Sequence, residues 1–259
     1  MKIEKPVAAI SMVRTDVFFA DKWISYYGTQ FGYENLYLII DGMDQPLPKE
    51  ASKINCFQIP HQNLKRAKGD RKRAKKISEF ASTLYPKYKA VLAMDIDEFL
   101  VVDPKMKISL KAYLKKDFKT DSISALGLDV GQHPKFENGI DLKKTFLSQR
   151  QFAEVSDRYT KPIVSFKPLE WGSGFHRIKG KDYVIDPNLF LFHFGLVSKE
   201  ITDKKSNKSE LLNLGWRGHM ARRFRLFKEL ETQTPQEGDM FFEKARHYLN
   251  KSRKWYSWN

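Results

Sequence analysis

Apolar runs of strand length alternate with amphipathic stretches of helical spacing through the first hundred residues. No other feature of the sequence restricts the fold more. Val7 to Val13 is a short apolar run, suited to a strand buried on both faces. Thr15 or Asp16 can cap the helix that follows, in which Phe19, Trp23, Tyr26 and Tyr27 recur at helical spacing. Leu36 to Ile40 is the second run and stops at Asp41-Gly42, a turn signal. Ile54 to Ile59 is a shorter third strand, ended by Pro60. A helix with the apolar stripe Ile77, Phe80, Ala81 and Leu84 comes next, and then Ala90 to Met94, which ends at Asp95. Strand, helix, strand, helix, strand implies right-handed crossovers and a mostly parallel sheet.

In such sheets ligands bind beyond the carboxyl ends of the strands. Three of the predicted strands deliver polar residues to that edge: Arg14 and Asp16, then Asp41 and Asp44, then Asp95 and Asp97. Asp95 and Asp97 are two apart, so on an extended chain both carboxylates point the same way and Glu98 points the other. Two like charges taken from water repel and are costly to desolvate. A hard divalent cation relieves both problems, and Mg²⁺ or Mn²⁺ typically takes one or two carboxylates together with substrate phosphates. A turn with acids capping local amides is the plainer reading of the same residues.

Arg66, Lys68, Arg71, Lys72, Arg73, Lys75 and Lys76 crowd the start of the second helix. Cations there oppose the helix macrodipole, so the placement suggests an anion nearby, although a solvated basic face reads equally well. The net charge of +15 also suits polyanions in general and selects none of them. A nucleic-acid-binding protein therefore stands as an alternative, but neither zinc-finger spacing nor an aromatic RNP-type motif supports it. A different metal-dependent phosphoryl or nucleotidyl enzyme built on the same two acids is the other alternative. Its haloacid form would want Thr or Val where Phe99 stands, and no Gly-rich Walker loop is present.

The segment Val91-Leu92-Ala93-Met94-Asp95-Ile96-Asp97-Glu98-Phe99-Leu100 resembles the Asp-x-Asp region of bacterial family 2-like glycosyltransferases with the GT-A fold, in the branch with an Asp-x-Asp-Glu-Phe pattern. Ile10 to Asp16 is similar to that branch's first strand and loop, with Thr15-Asp16 where Asn-Glu is usual. Leu36 to Asp44 is similar to its second strand and acidic turn. The likeness covers about residues 7–103 and continues more weakly through Trp171 to Arg177 and Leu191 to His193. It implies an α/β, Rossmann-related GT-A-like catalytic domain over 1–197, with a nucleotide-binding half to about 103 and an acceptor half beyond it. It also implies a nucleotide-diphosphate sugar donor, read as a UDP-sugar, a bound Mn²⁺ or Mg²⁺, and transfer to a hydroxyl of a glycan or glycolipid, as in polysaccharide or lipopolysaccharide synthesis.

Under that resemblance Asp97 is the favoured metal ligand, Asp95 a second ligand or a ribose contact, and Glu98 a support residue. His193 is a further candidate for metal or diphosphate, weighed against a satisfied core histidine. Arg66, Lys68 and Arg71 are candidates for phosphate. Asp41 or Asp44 suits a uracil-like imide, and Arg14 the base or a phosphate. Asp129, Glu170 and His176 remain open as the proton-handling residues of the reaction.

Ser198 to Ser209 is polar and lysine-rich and reads as a loop, and the pattern from about Leu211 is helical, so 198–259 is expected to be a loop and a helical extension. Basic and aromatic residues interleave in Trp216-Arg217, Arg222-Arg223-Phe224-Arg225 and Lys254-Trp255-Tyr256-Ser257-Trp258. That pattern suits peripheral contact with anionic membrane, or a helical cover with a basic outer face. No stretch approaches the roughly 20 apolar residues of a membrane span. Met1 to Val13 lacks a small-residue cleavage site and reads as a core strand. Cys56 is the only cysteine, so an internal disulfide is impossible. A cytoplasmic protein, peripheral at the inner face of the membrane and without nucleic acid as a partner, is the expectation.

Overall fold

The computed structural model describes residues 5–180, 184–206, 217–234 and 240–252. Trp216 and the segment 254–258 lie outside the described residues, as do the side chains of Arg222, Arg223 and Phe241. The protein is a mixed α/β fold on one nine-stranded sheet.

Its first half alternates as the apolar runs require: β1 (Lys5–Val13), α1 (Val17–Phe31), β2 (Leu36–Asp41), β3 (Asn55–Ile59), α2 (Arg66–Ser82) and β4 (Tyr88–Ala93). The strands pair in parallel in the order β3-β2-β1-β4. β1 is buried along nearly its whole length because both of its faces are covered. Val7, Ala9 and Val13 face one core with Trp23 and Tyr27 of α1. Ala8, Ile10 and Met12 face the other with Ile77 and Ala81 of α2.

Beyond Ala93 a turn leads into β5 (Glu98–Val102), and α3 (Leu110–Leu114) follows. Then come β6 (Ser122–Gly131), β7 (Ala153–Val155), β8 (Lys161–Ser165) and β9 (Ile185–Leu196). The sheet continues β4-β8-β6-β9-β5, with β7 on the flank of β6. β8 is antiparallel to both β4 and β6, which leaves β6 and β9 running in the direction of β1. The parallel pairings carry most of the register.

Two readings of the sequence change here. Asp95, Ile96 and Asp97 do not form an extended chain: the Glu98 amide donates to the Asp95 carbonyl at 3.1 Å and closes a turn. The polar stretch after Val197 is not a loop at its start, since Lys199–Ser206 is helical (α4). Glu200 in its first turn and the i,i+4 pairs Lys199–Asp203 and Glu200–Lys204 support that helix. Two further helices, α5 (Arg217–Leu230) and α6 (Met240–Ser252), follow. Leu226, Phe227 and Leu230 pack with Phe152 and Leu196, and Ala245 and Leu249 join the main core.

Candidate functional site

Strand register builds the site. On β9, His193 is paired with Asp129 of β6 on one side and with Glu98 of β5 on the other. Cross-strand partners share a face of the sheet, so three polar side chains meet at one level, while Phe99, Phe192 and Phe194 beside them alternate to the opposite face and the main core. Asp97 immediately precedes Glu98, and its carbonyl accepts the Phe194 amide at 2.8 Å. His193 donates from Nδ1 to Asp129 Oδ1 at 2.7 Å, and its Nε2 stands 3.3 Å from Asp97 Oδ2. Tyr159 stacks on the imidazole, with ring centroids 3.7 Å apart. Burial alone would lower the histidine's pKa, but Asp97 and Asp129 together hold it at about 9.

Asp95 turns the other way, toward the α2 face. Arg73 Nη1 lies 2.5 Å from Asp95 Oδ1, and Lys161 Nζ lies 2.9 Å from Oδ2. Lys161 is buried and also reaches Glu98 Oε1 at 2.5 Å. Glu98 does not point away from Asp95 as an extended chain would require. The turn brings it back, and its Oε2 accepts the Asp95 amide at 3.1 Å. Burial works to raise the Asp95 carboxyl, yet Arg73 and Lys161 outweigh it and hold the group below the usual carboxylate range. For Glu98 burial wins over Lys161, and its carboxyl is pushed up. The charge that a cation was expected to relieve at Asp95 is thus met by two side chains of the protein.

His176 follows a loop in which Gly174 and Phe175 both have positive φ, 63° and 59°. For phenylalanine that conformation is strained and persists only where packing over-determines it. Here Phe175 is buried beside Trp171 under the Arg73 guanidinium, and Ser78 of α2 accepts the Trp171 amide. Burial, then the nearby charge of Lys161, lowers the His176 pKa to about 4, so this imidazole is neutral at ordinary pH.

Arg14, Asp41 and Asp44 also come together. The Arg14 guanidinium donates to both Asp44 carboxylate oxygens at 3.1 Å and to the Asp41 carbonyl at 2.7 Å. Gly42, at φ 138°, has no Cβ where one would strike Arg14. Asp41 itself is bonded to His61 Nδ1 at 2.8 Å. Arg66 is paired with Asp70, while Lys68 and Arg71 are exposed at the start of α2. Glu170 is not gathered into the acid cluster: its side chain is 68% exposed and its carboxylate is held by Lys179.

Arg73, Tyr159 and Lys161 belong to the site and carry no local signal in the sequence. Arg73 is one cation among many in a basic run. Lys161 reads as a strand-end residue before Pro162, and only the pairing of β8 with β4 and β6 takes it inside.

Three cations and four carboxylates therefore interlock at the carboxyl edge. Among the described residues no three His, Cys, Asp or Glu side chains form a group that would hold a metal ion by themselves. The donor set nearest to one is Asp97 with His193. There Asp129 on Nδ1 orients the ring as an outer partner orients a metal-bound histidine. Because Asp97 and Asp129 hold His193 protonated, the pair would fit a hard cation, with phosphate and water completing its shell, only once Nε2 gives up its proton.

No protein-family model matches the chain, and no curated protein does. Among solved structures, a glycosyltransferase involved in the glycosylation of the major capsid of PBCV-1 is similar over 90% of this chain and 82% of its own. The identity is 12% and the TM-score 0.26, a likeness too slight to carry fold or activity from one protein to the other.

Proposed function

We propose that the protein is a glycosyltransferase that moves a sugar from a nucleotide-diphosphate donor, a UDP-sugar, to a hydroxyl of a glycan or glycolipid. The observation that carries this reading is the acidic turn Asp95-Ile96-Asp97-Glu98 at the end of β4, in the parallel half ordered β3-β2-β1-β4. The Arg14–Asp44 pair stands at the ends of the two neighbouring strands. That edge is where α/β sheets bind nucleotides. The Arg14, Asp41 and Asp44 group is assigned to the base and ribose, and Arg66, Lys68 and Arg71 to the diphosphate.

Asp97 and His193 would hold Mn²⁺ or Mg²⁺ together with the donor phosphates. Such an ion, when bound, supplies positive charge where the leaving diphosphate gains negative charge. Asp95 takes a supporting role in this reading, because Arg73 and Lys161 occupy both of its oxygens. Asp129 fixes the orientation of His193. His176, neutral and electrostatically coupled to Asp95 and Lys161, is the better candidate to accept the acceptor hydroxyl's proton. Glu170 is less suited, being exposed and committed to Lys179.

The test is a thermal-shift screen of nucleoside diphosphates with and without Mn²⁺. UDP with Mn²⁺ at about 100 times its Kd should stabilise the chain by about 2.7 kcal/mol, or about 5–10 °C for a protein of this size. Neither UDP nor Mn²⁺ alone should do so. Asp97→Ala, compared with its own unliganded midpoint, should lose the shift. A shift that survives in Asp97→Ala, or no shift with any nucleotide, overturns the reading.

A further inference from the structure

The described residues include eight large hydrophobic side chains that stand exposed, and five of them lie on two loops at the edge of the sheet that carries the acidic turn. Met43 and Leu47, 64% and 53% exposed, follow β2. Phe136, Leu142 and Leu147, 65%, 54% and 40% exposed, follow β6. Both strands run in the direction of β1, so both loops leave at its carboxyl edge. They also meet adjacent residues of α1. The Lys49 amide donates to Asp21 at 2.9 Å, and Lys22 donates to the Lys144 carbonyl at 2.8 Å.

The loop after β6 is firmly held from inside. Phe146 is buried in ring contact with Phe18, Phe19, Phe99 and Phe194. Arg150 is buried and donates to the Val197 carbonyl at 2.7 Å, and Glu137 accepts the amides of His133 and Gln151. Phe136 stacks on the buried His133 ring with centroids 4.5 Å apart, which fixes its place, yet it keeps most of its surface in the open, and Leu142 and Leu147 stand partly exposed beside it. Single exposed apolar residues are ordinary, whereas a group on one fixed rim marks a surface that meets an apolar phase.

The charges beside them select that phase. Lys135, Lys143 and Lys144 are exposed next to Phe136, Leu142 and Leu147. Of the loop's two acids, Glu137 is turned in toward Arg150, and Asp141 accepts the Lys143 amide and stands 4.0 Å from Lys144, so three lysines face one acid on the outer side. With a net charge of +15 on the chain, a second copy meets repulsion and a negatively charged lipid surface meets attraction.

We propose that this rim seats the protein on an anionic lipid bilayer, with Phe136, Leu142 and Leu147 entering the headgroup layer and the lysines of the same loop against the lipid phosphates. The acidic turn then opens toward the membrane, where a lipid-borne acceptor would be met. That last step rests on the glycosyltransferase reading, but adsorption itself needs no donor, acceptor or metal.

The test is sedimentation of the full chain with vesicles of phosphatidylcholine alone and of phosphatidylcholine mixed with phosphatidylglycerol. The native chain should be retained by the mixed vesicles and released by salt. The triple variant Phe136→Ser/Leu142→Ser/Leu147→Ser should keep its melting temperature and partition at least about tenfold more weakly. Lys143→Glu/Lys144→Glu should lose the preference for phosphatidylglycerol. Three results overturn the proposal: no retention of the native chain, retention of both variants at the native level, or a dimer in solution that the triple variant dissolves. Because the assay contains no nucleotide, its outcome is separate from that of the nucleotide screen.

Discussion

Lys161 decides the charge balance of the site. It is buried, it touches two carboxylates, and it stands over the Tyr159 ring that stacks on His193. Removing one partner of a buried ion pair leaves an uncompensated charge, which costs about 3–5 kcal/mol. Lys161→Met should therefore lower the unfolding free energy obtained from urea melts by that order. Adding Glu98→Gln should recover part of the loss, because the stranded acid is then neutral. Independent, additive losses in the double variant would show that the two side chains do not act as a pair.

At the scale of elements, α6 is fastened to the end of β5. Arg246 donates from Nε and Nη2 to the two oxygens of Asp103 at 2.7 Å, and both side chains are largely buried. The Arg246 hydrogen bonds outweigh burial and hold the Asp103 carboxyl below its ordinary value. A depressed carboxylate contributes stability above its unfolded pKa of about 3.9 and loses it as pH falls through the folded value. Arg246→Ala should then cost about 2–3 kcal/mol near pH 7. The gap from the native chain should narrow below about pH 4. Denaturant melts at pH 7 and pH 3 measure both, and a gap independent of pH would place the effect in packing.

The element scale also shows what local pattern could reach. Apolar runs marked β1, β2, β4, β6, β8 and the middle of β9, because strands buried on two faces are apolar throughout, and the half-exposed edge strand β3 was marked by its short run before Pro60. β5 was hidden, since Glu98-Phe99-Leu100-Val101-Val102 follows the acidic turn so closely that it reads as its continuation. α4 was hidden by its lysines, which form intrahelical pairs that a composition argument takes for loop.

For the whole molecule, the sheet must curl. β4 and β5 are four strands apart along β4-β8-β6-β9-β5, about 19 Å on a flat sheet. The four residues between them close a turn and span much less than their extended reach of about 17 Å. The curl that joins these ends carries Asp129 and His193 to Asp97. The C-terminal helices complete the same body, because Leu230 packs where a Cβ on Gly131 would stand and Ala245 and Leu249 enter the main core. A chain cut after Val197 should expose Leu196 and Phe152 and lose its cooperative thermal transition, as followed by circular dichroism. A truncated chain that melts cooperatively near the native temperature would mark residues 198–252 as a separable appendage.

The sequence by itself determined the parallel half, the edge where its polar residues gather, and the acidic segment at the end of β4, though not that this segment turns. These follow from burial on two faces and from strand order, which are properties of short contiguous segments. Only the tertiary structure decided which way each acid faces and what neutralises it. Arg73, Asp129, Lys161 and His193 come from α2, β6, β8 and β9. Register and sheet curl bring them to Asp95, Asp97 and Glu98, and electrostatic partners across such separations leave no mark in local spacing. Asp95 and Asp97 look alike in the sequence. They differ in the fold because a turn sends one toward Arg73 and Lys161 and the other toward His193.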